Sequence, residues 1–544
     1  MRKQSHTSFR PTQRNLPMKE FQLSLPAVIS LLIAVGISAV SQINGHNFTF
    51  EEATIEEIQR AFADERLTSR MLVDFYLKQI EALNPVLRSV VEVNPEARDD
   101  ADRADRRRRE GNVKRLSLGG LDGVPVLVKD TIATKDRMNT TAGSYALVGS
   151  VVARDAGVVE KLRKAGAVIL GKASLTEWYS FRSLGHVPNG WCARSGQGVN
   201  PYLASGETCG SSSGSAISVA ANMVTVSLGT ETHGSILCPS DRNSVVGFKP
   251  TVGLTTRAGV IPIMSHHDTV GPITRTVSDA VYVLDAIVGY DPRDAEVTRQ
   301  GSKFIPQGGY KQFLNPNGSK GKRIGVVRTP FADKFPSMQV FENHLHTLRE
   351  KGGVIVDDLE IADIDTILSS KRSGELTVML ADFKLLLNDY LKELISSPVR
   401  SLADIIAFNN NHPQLEKIKE YGQSTFIQSE KTNGLGEKEK KAIETMANLS
   451  RNGFEKLMKE NELDVIVTPG SGCISVLAIG GYPGITVPAG YDKDDGMPFG
   501  ICFGGLKGTE PKLIEIAYAF EQATMMRRPP FSNSIDYQVS HSNI

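Results

Sequence analysis

Two clusters of small polar residues carry the reactive groups of this chain. Gly210-Ser211-Ser212-Ser213-Gly214 is too small and too polar for a core. It reads as a tight turn that opens a helix and leaves free N–H groups at its start. Small apolar residues follow from Ala216 to Val226. Val224-Thr225-Val226-Ser227-Leu228 then reads as a strand, and Gly229-Thr230-Glu231-Thr232-His233-Gly234-Ser235 as the loop that ends it. Such a loop can set several backbone donors around one hydroxyl, which is what acyl transfer needs for its oxyanion.

A serine hydroxyl is a poor nucleophile without a base. His233 stands two residues before Ser235, but near neighbours in a loop rarely point at each other. The better base lies upstream, where the apolar run Leu121-Asp122-Gly123-Val124-Pro125-Val126-Leu127-Val128 ends in Lys129-Asp130. A lysine at the end of a buried strand loses solvation, and its pKa falls toward the range of a base. Taken alone, a Lys-Asp pair also fits a surface turn, since charged residues are mostly exposed. His266-His267-Asp268 looks like a triad fragment, but adjacent residues cannot jointly serve one centre.

Gly-Val-Pro-Val-Leu-Val-Lys-Asp, Gly-Ser-Ser-Ser-Gly-Ser and Gly-Thr-Glu-Thr-His-Gly-Ser-Ile together resemble the amidase signature family in order and spacing. Ser211 and Ser235 are 24 residues apart, as that family's two serines are. The resemblance runs from about Thr54 to about Thr524. It is strongest to the plant branch, similar in its core to the A-type subunit of glutamyl-tRNA amidotransferase and also to fatty acid amide hydrolase. The resemblance implies Ser235 as the nucleophile, Ser211 as a bridging serine held by a cis peptide, and Lys129 as a base that is neutral at rest. It also implies an oxyanion hole from the N–H groups of Thr232, His233, Gly234 and Ser235. The fold it implies is α/β, a single domain with a central mixed β-sheet flanked by helices on both faces. Three departures stand out. His233 replaces the family's common Gly or Asp and is expected to crowd the loop. Leu237 replaces a common arginine, which removes an ion pair. Cys209 to Gly214 replaces a Gly-Gly-Ser-Ser-Gly-Gly turn.

The 544 residues hold 40% hydrophobic and 23% charged side chains, ample for a large core. A net charge of +1 gives no global field for nucleic acid or an acidic membrane. Five scattered cysteines are too few for a disulfide framework, so buried reduced thiols are expected. No Cys-x-x-Cys or His-Glu-x-x-His pattern calls for a metal, and no cofactor is implied.

The first 20 residues are basic and polar, and Phe21 to Val40 is almost wholly apolar. This is the layout of a secretory signal over residues 1–41, cleaved after Ser41, with an uncleaved anchor or a buried helix of a cytosolic protein as the alternatives. That anchor would be the chain's one membrane contact. A secretory destination follows, and sequons at Asn47, Asn139, Asn317 and Asn448 fit it, with no glycan expected at the packed Asn139.

Residues 42–544 then form the catalytic domain, with core pieces 42–330 and 461–524 around a mostly helical segment, 331–460. That segment is expected to wall the substrate pocket. Tyr390, Leu391, Phe408 and Phe426 are its apolar candidates for contact with substrate, although as helix core residues they need no ligand. The polar tail from Met525 is expected to fray. The reading is a hydrolase acting on a small non-peptide amide. Two alternatives stay open, an amidotransferase subunit with a partner and a silent binding relative. A homodimer is compatible with either.

Overall fold

The computed structural model describes residues 48–111, 120–332 and 335–531. The apolar segment before Ser41 and the sequon at Asn47 lie outside these residues.

An 11-stranded mixed sheet runs through the molecule. Its strands, in chain order, are β1 (Val90–Val93), β2 (Pro125–Lys129), β3 (Val168–Ala173), β4 (Val226–Glu231), β5 (Val246–Lys249), β6 (Thr269–Thr274), β7 (Arg323–Val326), β8 (Val354–Val356), β9 (Val465–Pro469), β10 (Gly484–Tyr491) and β11 (Pro498–Gly504). Their spatial order is β1-β3-β2-β4-β6-β5-β10-β11-β9-β7-β8. Every residue of β2 to β6, β9 and β11 is buried, so helices cover both faces of the sheet. This is why β2 and β3 read as continuous apolar runs and not as alternating ones.

β2 lies between parallel neighbours β3 and β4, with Val128 opposite both Lys172 and Leu228. Parallel strands end at one edge of a sheet, and that edge is where loops can gather reactive groups. Lys129 closes β2 there, and Glu231 closes β4.

The helices form where caps and apolar spacing ask for them. Thr68 caps Ser69–Leu87 by accepting the Met71 N–H, and Thr276 caps Val277–Ile287 in the same way through Asp279. The segment 331–460 carries helices Met338–Glu350, Glu375–Glu393, Leu402–Asn411, Ser424–Glu430 and Glu437–Ser450. Buried Glu416 anchors it to the core by accepting from the Ser144 hydroxyl at 3.0 Å and the Tyr145 N–H at 2.8 Å.

Two expectations need correction. Four cysteines are paired: Cys209–Cys238 and Cys473–Cys502, with Cα separations of 5.8 and 6.5 Å. Spacing along the chain could not show that the turns meet in space at bridging distance. Cys192 alone stays a thiol, and burial pushes it up to about 11. The C-terminal tail is also docked further than its polarity suggests. Arg527 donates to Glu52 at 2.7 and 2.8 Å and to the Ser244 carbonyl at 2.6 Å.

Candidate active site

Lys129 is fully buried, and its Nζ lies 2.7 Å from Ser211 Oγ. The same nitrogen is 3.0 Å from both Ser212 Oγ and Thr230 Oγ1, and 3.3 Å from the Thr230 carbonyl. The Tyr179 ring covers it at 4.9 Å. Burial pushes the amine well below its ordinary value, and the carboxylates of Glu231 and Asp268 only partly pull it back. Among the described residues no carboxylate touches it, and an amine set among hydroxyl and carbonyl oxygens is suited to be neutral and to take a proton.

Asp130 secures this strand end. It is buried and accepts from the backbone N–H groups of Thr141 and Gly143 at 3.1 Å, and from the Thr141 hydroxyl. It is therefore not the surface turn that the bare Lys-Asp pair allowed.

The Gly210–Ser211 peptide is cis. The helix Ser213–Ala220 starts directly after it. Gly214 lets that helix seat itself, since a Cβ there would lie 2.4 Å from the Ser89 carbonyl and 2.5 Å from the Ser174 backbone. The Ser212 N–H donates to the Ser235 carbonyl at 3.1 Å, which binds the turn of Ser211 to the turn of Ser235. The Cys209–Cys238 bond joins the same two turns.

After β4 the chain makes its loop with Gly234 at φ +80°. Among the described residues, nothing in the protein accepts a hydrogen bond from the N–H of Thr232, His233, Gly234 or Ser235. Glu231 organises the start of the next helix, because its Oε2 accepts from the Ile236 and Leu237 N–H groups at 2.7 and 2.9 Å. With leucine at 237, Glu231 forms no ion pair among the described residues, and its Oε1 has no hydrogen-bond partner. Asp268 holds the other side, with Oδ1 accepting from the Thr232 hydroxyl at 2.5 Å and Oδ2 from the Ile263 and Met264 N–H groups. The His-His-Asp run is thus split: Asp268 supports the loop, while His266 is exposed and His267 buried.

His233 does not obstruct the cavity beside the loop. Its Nδ1 is 2.8 Å from Glu375 Oε1 and its Nε2 is 3.0 Å from Ser475 Oγ. The cavity has a volume of about 240 Å³ and is lined by Tyr179, Thr230 to Thr232, Ile261, Leu386 and Tyr390, among others. Of the apolar candidates, Tyr390 reaches this cavity. Leu391 and Phe426 are core residues, and Phe408 stacks on His412.

Sequence reasoning did not find Ser212, Thr230, Glu231 or Glu375, and it met Asp268 only in the His-His-Asp run that it set aside. Ser212, Thr230 and Glu231 sit inside the motifs that it quoted, but Glu375 lies 142 residues from His233 with no motif around it.

Comparison with known proteins gives the family of the chain. The Amidase family profile matches residues 71–478. A probable amidase of Arabidopsis thaliana is 58% identical over 504 residues, covering 92% of this chain and 96% of its own. The structure of native peptide amidase from Stenotrophomonas maltophilia superposes with a TM-score of 0.82 at 40% identity, covering 89% of this chain and 99% of its own. The A-type subunit of a glutamyl-tRNA(Gln) amidotransferase from Thermoanaerobacter pseudethanolicus is 28% identical over 505 residues, covering 88% of this chain and 97% of its own. A lysine and two serine turns gathered at one sheet edge, together with these matches along most of the chain, make this protein a hydrolase of the amidase signature family.

Proposed function

We propose that this amidase cleaves a non-peptide carboxylic amide through an acyl-enzyme on Ser235, with Ser211 as proton relay and Lys129 as base. The observation that carries the reading is the buried Lys129 amine 2.7 Å from Ser211 Oγ, in a turn bonded to that of Ser235. Neutral Lys129 accepts the Ser211 proton, and Ser211 accepts that of Ser235 as Ser235 Oγ attacks the carbonyl carbon. The free N–H groups of Thr232, His233, Gly234 and Ser235 receive the oxyanion. Lys129 and Ser211 then return the proton to the leaving amine as the C–N bond breaks. Water repeats the relay and releases the acid. One oxyanion donor is worth about 3 kcal/mol.

The cavity beside Thr230 and Thr232 seats an apolar part of the substrate against Tyr179, Ile261, Leu386 and Tyr390. The likeness to a peptide amidase supports amide hydrolysis. The likeness to an amidotransferase subunit supports a second reading, glutamine hydrolysis for a partner. Two disulfides favour an oxidising compartment, and hence the secretory route, over the cytosolic or organellar setting of that reading.

The test is hydrolysis of a panel of fatty-acyl, aryl and short-chain amides, peptide amides and glutamine. Ser235→Ala and Lys129→Ala should each abolish turnover. Full activity in either variant, or activity on glutamine alone with a co-purifying partner, would overturn the proposal.

A further inference from the structure

Glu375 is a buried carboxylate between two imidazoles. Its Oε1 lies 2.8 Å from His233 Nδ1 and 3.3 Å from His267 Nδ1. It is the first residue of the helix Glu375–Glu393, preceded by Gly374 at φ +89°. A carboxylate in a first helical turn is favoured by the helix dipole. Farther along the same helix, Leu386 and Tyr390 line the cavity that Thr230 and Thr232 also line. One helix thus touches the donor loop with its first side chain and the substrate cavity with later ones.

We propose that Glu375 is a positioning residue for amide hydrolysis: through His233 it fixes the loop that presents the oxyanion donors, and it ties that loop to the helix walling the substrate cavity. The inference rests on the hydrolase reading above. The carboxylate can only accept, so His233 Nδ1 donates to it and Nε2 meets the Ser475 hydroxyl. Burial lowers the affinity of His233 for a proton, but the carboxylates of Glu375 and Glu231 together outweigh it and set the ring above its ordinary value. Burial pushes Glu375 up, but His233 and His267 outweigh it and hold the carboxyl far below the usual carboxylate range. The other titratable groups facing this pair are His267, on the loop before β6, and Glu231, at the end of β4. Ser475, on the helix Ile474–Gly480, adds only a neutral hydroxyl. A charge-assisted bond is about twice as strong as a neutral one. Loss of the proton from His233 therefore loosens the loop.

The experiment measures kcat and KM across pH on one amide for wild type, Glu375→Gln, Glu375→Asp, His233→Asn and the His233→Asn/Glu375→Gln double variant. Glu375→Gln should lower kcat at least about tenfold, leave KM within about twofold, and move the alkaline limb to lower pH. Glu375→Asp should recover part of kcat, and the double variant should be no worse than His233→Asn. A Glu375→Gln enzyme with unchanged kcat and alkaline limb would overturn the inference, as would additive losses in the double variant. If Glu375→Gln does not fold, His233→Asn decides the matter, because its alkaline limb must vanish. A Ser235→Ala protein that still turns over the substrate would instead refute the hydrolase reading beneath it.

Discussion

Replacing Glu231 tests how the donor loop is built. The Ile236 and Leu237 N–H groups both donate to its Oε2, while Oε1 has no partner among the described residues. In Glu231→Gln an amide oxygen can take the place of Oε2, so both bonds survive but lose their charge assistance. Bonds to charged groups contribute about 1.5–3 kcal/mol each and neutral ones about 1 kcal/mol, so the two bonds together should lose roughly 1–4 kcal/mol of stability. Glu231→Ala leaves two buried donors unpaired, at about 1–3 kcal/mol each.

The kinetic consequence has a definite sign. The Glu231 carboxylate raises the pKa of Lys129 against the stronger lowering by burial. Removing that charge lowers the Lys129 value further, so more amine is neutral at any given pH. The acid limb of kcat/KM should then move to lower pH. The plateau should fall about tenfold, a fraction of the loss expected for a missing oxyanion donor. The assay is a pH series of kcat/KM on one amide beside thermal unfolding of the same protein. An acid limb that stays in place or moves to higher pH would refute the reasoning.

Other outcomes rest on the same contacts. Lys172 is as buried as Lys129, but it donates to the Ile132 carbonyl and the Thr140 hydroxyl and bonds no serine among the described residues. Lys172→Met should therefore lower the melting temperature and leave the acid limb in place, whereas a shifted limb would move the base assignment away from Lys129. The Cys209–Cys238 bond closes a loop of 29 residues between the two serine turns. Its removal by Cys209→Ser/Cys238→Ser should cost roughly 3 kcal/mol and reduce turnover more than removal of Cys473–Cys502. Equal losses of activity in the two double variants would show that the first bond has no special place in the site. Gly214→Ala drives a Cβ to within 2.4 Å of the Ser89 carbonyl, and should lower both the melting temperature and the rate. A fully stable, fully active variant would contradict the close seating of that helix.

The site was legible where chemistry is local in the chain. The two serine turns and the apolar run before Lys129 announce themselves, because a buried parallel strand must be apolar throughout and its loops must be small and polar. The same reasoning could not single out Lys129 on physical grounds, however. Lys172 and Lys249 also end or nearly end buried strands, and burial lowers both to about 8. What separates Lys129 is the set of hydroxyls around its nitrogen, and those arrive from residues 211 to 230 through the fold.

Contacts across long stretches of chain were hidden for the same reason. Nothing near Glu375 marks it as a partner of His233, and nothing near Cys473 marks Cys502. The strand Pro498–Gly504 also escaped notice, since two glycines and a proline weaken its pattern. It is completed by pairing on both sides, with β10 and β9. The docked tail at Arg527 depends on Glu52, at the opposite end of the described chain.

The central claim is that an amine from one strand end and hydroxyls from two turns act on one carbonyl. Mass mapping of a fluorophosphonate adduct tests it most directly. The account predicts one modified peptide, with the phosphorus on Ser235 Oγ, formed far more slowly when Lys129 is alanine. An adduct on any other residue, or a rate unchanged by Lys129→Ala, would contradict it.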